Sequence, residues 1–232
     1  MRLSLAILFL VIGHSRADTP PEVVLFDGKT LDGWTVEGPA EATVDGQKTP
    51  VWFVRDGKLV TANRVFGFLR YSKRDFSDFE LVMEYRIAPK TERESSAGNS
   101  GVGIRTGPFD PKKSSQTRPS YFAYEIQIID DAGKPASKTS TASLYRYVAP
   151  SKNANRPAGE WNTLVVNCVG PHITITLNGD KVIDVDQTTI EAIKSKPLKG
   201  SICLQSHGPN REVEFRNLRV REIAPAATKD KP

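Results

Sequence analysis

Apolar and polar residues alternate one by one in short runs along most of the chain. Phe79-Glu80-Leu81-Val82-Met83-Glu84-Tyr85-Arg86-Ile87 keeps the alternation for nine residues. Side chains on a strand point to opposite faces in turn, so this pattern predicts a half-buried strand. Tyr124-Glu125-Ile126-Gln127-Ile128 places Ile126 and Ile128 on one face and Glu125 and Gln127 on the other. The run from Asn99 to Arg105 sets Val102 and Ile104 inward, with Asn99 and Arg105 outward. Ile202 to His207 repeats the motif and ends on Gln205 and His207. Asp56-Gly57 between Val51–Arg55 and Lys58–Thr61 predicts a tight hairpin, as does Asn178-Gly179 between Ile173–Leu177 and Lys181–Val185. Phe215–Arg221 reads as the last strand. Many short strands with frequent turns indicate an all-β sandwich or barrel.

One segment reads as helical: Thr188–Lys194, a turn or two with Thr188 as its cap. Residues 88–98, 106–120 and 131–142 lack periodicity and are rich in Ser, Lys, Thr, Pro and Gly. Each follows a strand that ends in polar residues, where long loops commonly form functional walls. Residues 224–232 hold no core-forming side chains and are expected to be disordered.

The first residues add an address. Met1-Arg2 precedes an apolar run from Leu3 to Ile12, too short to span a bilayer, and Ser15-Arg16-Ala17 supplies small residues for cleavage. Residues 1–17 are therefore expected to be a secretory signal, making the mature protein secreted or periplasmic without stable membrane insertion. The chain of 232 residues carries a net charge of +5. Its clearest basic stretch, Pro111–Pro119, has no interleaved aromatic residues, so it reads as a solvated loop rather than a nucleic-acid surface. The two cysteines, Cys168 and Cys203, are expected to stay free, since a core of this size needs no staple. Their number excludes a cysteine-based zinc site. Trp34 and Trp161 read as core plugs, His172 as a surface residue, and Tyr145 and Tyr121 as stacking candidates beside the long loops. Nothing in the sequence sets an oligomeric state.

Solvated strand faces usually carry Lys, Thr and Glu at random. Here the outward set is Glu, Gln, Arg, His and Asn, separated by glycines, which is the chemistry of a sugar-binding floor with an acid or base in it. Six segments taken in order add a resemblance. They are Leu25–Trp34, Asn99-Ser100-Gly101-Val102, Tyr124–Asp130, Leu144-Tyr145, Pro157–Asn162 and Leu204-Gln205-Ser206-His207-Gly208. Over residues 22–223 the chain resembles the 3-keto-disaccharide hydrolase domain family. The resemblance implies a concanavalin A-like β-sandwich (jelly roll) of two curved antiparallel sheets, with the ligand on the concave one. It also implies a saccharide substrate and a secreted or periplasmic role in breaking 3-keto sugars. Two departures stand out: loop 106–120 looks longer and more basic than usual, and Thr141-Ala142-Ser143 stands where the family often has a glycine.

That activity has a definite chemical requirement. A ketone at carbon 3 acidifies the hydrogen on carbon 2, and the glycosidic oxygen on carbon 1 is then β to the carbonyl. A base takes the proton, the enolate expels the leaving group, and water adds back. The site needs a base, a cation near the ketone oxygen and a proton donor. Glu125 is a candidate for the base or for a cation ligand, and His207 is the other base candidate, with an intrinsic pKa near working pH. Arg105 is the candidate to stabilise an enolate. Gln127, Asn99 and Gln205 suit sugar hydroxyls, with Glu84 on the outward parity of its own strand and Tyr145 as a stacking ring. Glu125, Glu84, His207 and Asp130 offer enough donors for Ca²⁺, Mg²⁺ or Zn²⁺, but no motif fixes their spacing, and a divalent cation stays open. Asp130 has the wrong parity for that face unless its strand bends. Gln127 stands where a second carboxylate would serve a retaining glucanase, which argues against that mechanism. The expectation is an exported enzyme acting on 3-keto-glycosides, with a non-catalytic carbohydrate-binding module as the alternative.

Overall fold

The computed structural model describes residues 21–44, 46–90 and 98–224. The expected signal, residues 1–17, lies outside them, as do residues 225–232 of the expected tail and most of loop 88–98. Among the described residues there are fifteen strands: β1 (Glu22–Val24), β2 (Trp34–Glu37), β3 (Glu41–Val44), β4 (Gln47–Pro50), β5 (Trp52–Arg55), β6 (Lys58–Thr61), β7 (Gly67–Tyr71), β8 (Phe79–Ile87), β9 (Asn99–Thr106), β10 (Tyr124–Ile129), β11 (Asn162–Val169), β12 (His172–Leu177), β13 (Asp180–Asp186), β14 (Ser201–Ser206) and β15 (Val213–Glu222).

All the pairings are antiparallel. A large sheet runs β13-β12-β11-β8-β15-β6-β5, with β1 added along β15. A five-stranded sheet runs β10-β9-β14-β7-β2, and β3 and β4 form a separate ribbon. The apolar alternates meet between the two sheets. Leu81, Met83, Tyr85, Val166, Ile175 and Phe215 from the large sheet share one buried cluster with Leu69, Val102, Ile104, Ile126, Ile128 and Leu204 from the smaller sheet. Each fully buried aliphatic or aromatic side chain contributes about 1.5–3 kcal/mol, so this shared layer holds the two sheets face to face.

Both predicted hairpins form, because their turn residues accept positive φ. Asp56 and Gly57 sit at 49° and 72°, and Asn178 and Gly179 at 54° and 89°. The expected helix at Thr188–Lys194 is instead a 3-10 turn over Gln187–Thr189. Asp186, not Thr188, caps it, its carboxylate accepting from the Thr188 backbone N–H at 2.8 Å. Two short helices interrupt the segment 106–120 expected to be loop: α1 (Ser114–Thr117) lies within it and α2 (Pro119–Phe122) begins in it. Cys168 and Cys203 are both free and buried, as expected. His172 is exposed and pairs with Asp184 at 2.7 Å. No helix among the described residues is long and apolar enough to cross a membrane.

Candidate functional site

Three adjacent strands bring the polar alternates together on the outer face of the smaller sheet. β9 lies between β10 and β14, with Glu125 opposite Gly103, Gln127 opposite Gly101, and Leu204 opposite Val102. Asn99, Gly101 and Gly103 of β9, Glu125 and Gln127 of β10, and Cys203 and Gln205 of β14 therefore share the face away from the core. A cleft opens there, lined by Phe66, Asn99, Arg118, Ser120, Glu125, Gln127, Tyr145, Gln205 and His207. Six of these, Asn99, Glu125, Gln127, Tyr145, Gln205 and His207, are residues that the alternation or the resemblance singled out.

The glycines of β9 make room for this face. A Cβ on Gly101 would stand 3.0 Å from both Cγ and Oε1 of Glu125. Gly103 does the same for the wall: a Cβ there would lie 3.1 Å from Pro119 of α2 and closer still to Cys203 Sγ. Glycine at these two positions lets the carboxylate lie flat on the sheet and lets α2 pack against it.

Glu125 is buried, and its Oε1 accepts a hydrogen bond from Gln205 Nε2 at 2.9 Å. Burial pushes its carboxyl up to about 7, opposed by hydrogen bonds from Gln205 and Ser120 and by the positive charge of Arg118. A carboxylate poised near neutrality in a cleft has the protonation chemistry of a general acid or base. His207 lies just past the end of β14. Its backbone N–H donates to Asn63 Oδ1 at 2.5 Å, its ring stands edge-on to Phe66 with centroids 5.9 Å apart, and Asn210 Nδ2 lies 3.2 Å from its Nδ1.

The cleft is also short of partners. Asn99 Oδ1, Gln127 Oε1, Gln205 Oε1 and Arg118 Nε are all buried without a hydrogen-bond partner. Leaving one such group unsatisfied costs about 1–3 kcal/mol. Four of them converging on one cleft is the pattern expected where a polyhydroxylated ligand completes the bonding.

A family model for the 3-keto-alpha-glucoside-1,2-lyase-like domain matches residues 21–221. The chain belongs to this family. It is thereby a carbohydrate-active hydrolase with a saccharide partner. It is similar to a 3-keto-disaccharide hydrolase of Bacteroides thetaiotaomicron, 26% identical over 243 residues, covering 89% of this chain and 80% of that protein. A protein of Parabacteroides distasonis ATCC 8503, assigned provisionally to the glycosyl hydrolases, superposes with a TM-score of 0.66 at 23% identity, over 87% of this chain and 94% of that one. The exoplasmic/lumenal domain of VIP36, in its Ca²⁺/Man3GlcNAc-bound form, superposes with a TM-score of 0.57 at 8% identity, over 90% and 91% of the two chains. These two likenesses speak to the fold alone, and with the antiparallel sandwich they bear out the concanavalin A-like expectation.

In this member of the 3-keto-glucoside lyase-like family, two expected site residues lie elsewhere. Arg105 has the right parity on β9, but its own φ of 53° distorts the strand there, opposite the register shift in β14. The side chain turns inward, is fully buried, and donates from Nη2 and Nε to the Ser77 carbonyl at 2.8 and 3.2 Å. Glu84 does face outward, but from β8 of the opposite sheet. It accepts from Arg216 Nε at 2.5 Å and Asn217 Nδ2 at 2.8 Å. Parity alone does not say which of two sheets owns a strand. Asp130 is committed to an ion pair with Arg211. The four-ligand set for a cation is therefore not assembled, and no group of three His, Cys, Asp or Glu converges among the described residues.

Trp161 is likewise not a core plug. It is half-buried on the outer face of the large sheet, between the guanidinium groups of Arg86 (4.8 Å) and Arg216 (3.9 Å). Trp34 does pack against the core, donating from Nε1 to the Leu25 carbonyl at 2.7 Å.

The sequence reading missed Arg118, Ser120 and Phe66. Arg118 falls in the stretch Pro111–Pro119 that reads as a solvated basic loop, and Ser120 at the end of the aperiodic segment 106–120. The signal was Arg118-Pro119. Proline disfavours helical backbone in the residue before it and favours the first turn of a helix. Arg118 accordingly takes φ −61° and ψ 133° between α1 and α2, and its side chain reaches the cleft.

Proposed function

We propose that this chain is an exported enzyme that cleaves 3-keto-glycosides by elimination and hydration. The observation that carries the reading is a lone carboxylate, Glu125, poised near neutral pH and flanked by His207 and unpartnered amide oxygens. Ordinary glycoside hydrolysis uses a pair of carboxylates set about 5–9.5 Å apart. Among the described residues the cleft lining contains one. A single carboxylate suffices for the proton abstraction when the substrate supplies its own acidic hydrogen.

Glu125 or His207 takes the proton from carbon 2. The C–H electron pair forms the carbon 2–carbon 3 double bond, and the carbonyl π pair moves onto the ketone oxygen. When the carbonyl reforms, carbon 1 and carbon 2 become doubly bonded, the bond from carbon 1 to the glycosidic oxygen breaks, and that oxygen takes a proton. Water then adds across the new double bond, giving net hydrolysis. Asn99, Gln127 and Gln205 hold sugar hydroxyls, and the Tyr145 ring borders them.

The test is turnover of a chromogenic 3-keto-glucoside beside its unoxidised parent, each with and without a chelator. Cleavage of the keto form alone is the expected result, and the chelator arm reads any dependence on a divalent cation. Cleavage of neither, with saccharide binding retained, would overturn the reading in favour of a binding module. Export is tested by fractionating cells that express the full chain and sequencing the N-terminus of the recovered protein.

A further inference from the structure

The elimination chemistry places negative charge on the ketone oxygen, and the residue expected to meet it, Arg105, lies inside the protein. The cleft contains another candidate. Among the described residues Arg118 is the arginine that lines it, and no described lysine does. Its guanidinium lies over the Phe66 ring at 4.2 Å and near the Tyr121 ring at 5.8 Å. It makes no ion pair among the described residues, and its Nε is buried without a partner.

This is an unusual way to hold an arginine. A buried guanidinium is ordinarily matched by a carboxylate or a set of carbonyl oxygens, as Arg211 is by Asp130 and the Ala88 carbonyl. Arg118 is fixed by aromatic faces instead. They restrict its position but leave its Nε–H without an acceptor, with the Glu125 carboxylate close enough to feel its charge. The backbone adds to the fixity. Arg118 N donates to the Ser114 carbonyl at 3.1 Å, and its own carbonyl accepts from Tyr121 N and Phe122 N at 2.9 Å each. A preorganised cation that needs no rearrangement is the arrangement that stabilises charge developing in a transition state.

We propose that Arg118 is a catalytic residue of the elimination, its guanidinium donating to the ketone oxygen as the enolate forms. The inference rests on the 3-keto-glycoside reading and names the group that does what Arg105 cannot. Its carrier is the juxtaposition of an unpaired, ring-clamped arginine with Glu125, the base candidate on the same cleft.

The experiment compares the wild type with Arg118→Met and Arg118→Lys on the chromogenic 3-keto-glucoside, separating kcat from KM, with and without added guanidinium chloride at non-denaturing concentration. Removing one donor of this kind lowers kcat by about 10²–10³. The expected result is a kcat loss of that size in Arg118→Met with KM changed by less than about threefold, a smaller loss in Arg118→Lys, and partial recovery of Arg118→Met by guanidinium. Recovery by the small cation also shows that the variant is folded. Unchanged kcat, a loss confined to KM, or a kcat loss that guanidinium does not restore would overturn the assignment. Failure of the wild type itself to cleave the keto substrate would instead sink the functional reading, and this inference with it.

Discussion

Replacing Glu125 with Gln makes the sharpest separation between a poised carboxylate and a merely polar one. In the folded chain the carboxyl ionises at about 7 against an ordinary value of 4.5, with burial as the main cause. The folded state therefore binds a proton that the unfolded chain has already released between those pH values. Stability falls as pH rises through that window and levels off above it. At 1.36 kcal/mol per pH unit the penalty is about 3 kcal/mol at pH 8.5 and close to zero at pH 4. The glutamine side chain of Glu125→Gln does not ionise and escapes this penalty, and its amide oxygen still accepts from Gln205. The variant should therefore gain about 3 kcal/mol on the wild type between pH 4 and pH 8.5, while losing turnover. Urea unfolding of both proteins at the two pH values reads this directly, because every other titrating group is common to both and cancels. A wild-type-to-variant gap that stays constant within about 0.5 kcal/mol would show that Glu125 ionises normally and would remove the physical basis for making it a base. The same carboxylate should give kcat/KM an ascending limb centred near pH 7.

The other expectations follow from the same geometry. His207→Ala should lower kcat by about 10²–10⁴ if the imidazole transfers a proton. Wild-type turnover in both His207→Ala and Glu125→Gln would refute the site. Gly101→Ala sets a methyl group 3.0 Å from Glu125 Cγ and Oε1, so it should reduce kcat while costing about 1–3 kcal/mol of stability. Asn99→Ala and Gln127→Ala should raise KM more than they lower kcat, read by steady-state kinetics on the keto substrate. Arg105→Met should do the reverse of a site mutation. It strips the Ser77 carbonyl of its donor and costs about 1–3 kcal/mol in urea unfolding, with kcat per folded molecule intact.

What the sequence made legible divides along a physical line. Alternation is a local property, so it was readable wherever one strand face meets the core. β8 falls on Phe79–Ile87 as read, and the outward sets of β9, β10 and β14 converge as neighbouring strands. Sheet membership is not local. Glu84 and Glu125 have the same outward parity on β8 and β10, but the two strands belong to opposite sheets, and only the pairing of β8 with β11 and β15 decides it. β7 was not anticipated because Phe68, on its outer face, packs with Phe109 and Cys203 rather than facing water, so the strand shows no alternation.

Arg105 and Arg118 show how the remaining error arises. Both are arginines beside glycine-bearing β9, and parity favoured the wrong one. A positive φ at a single residue turned Arg105 into the core, while the proline after Arg118 held it extended between two short helices and set it over Phe66. Backbone conformation at one residue, not side-chain type, decided which arginine reaches the cleft. An aperiodic segment following a polar-ended strand is thus better searched for X-Pro steps that aim a charged side chain than set aside as solvated loop. Here that search places a cation beside the carboxylate, and a base with an oxyanion partner can run the elimination that a base alone cannot.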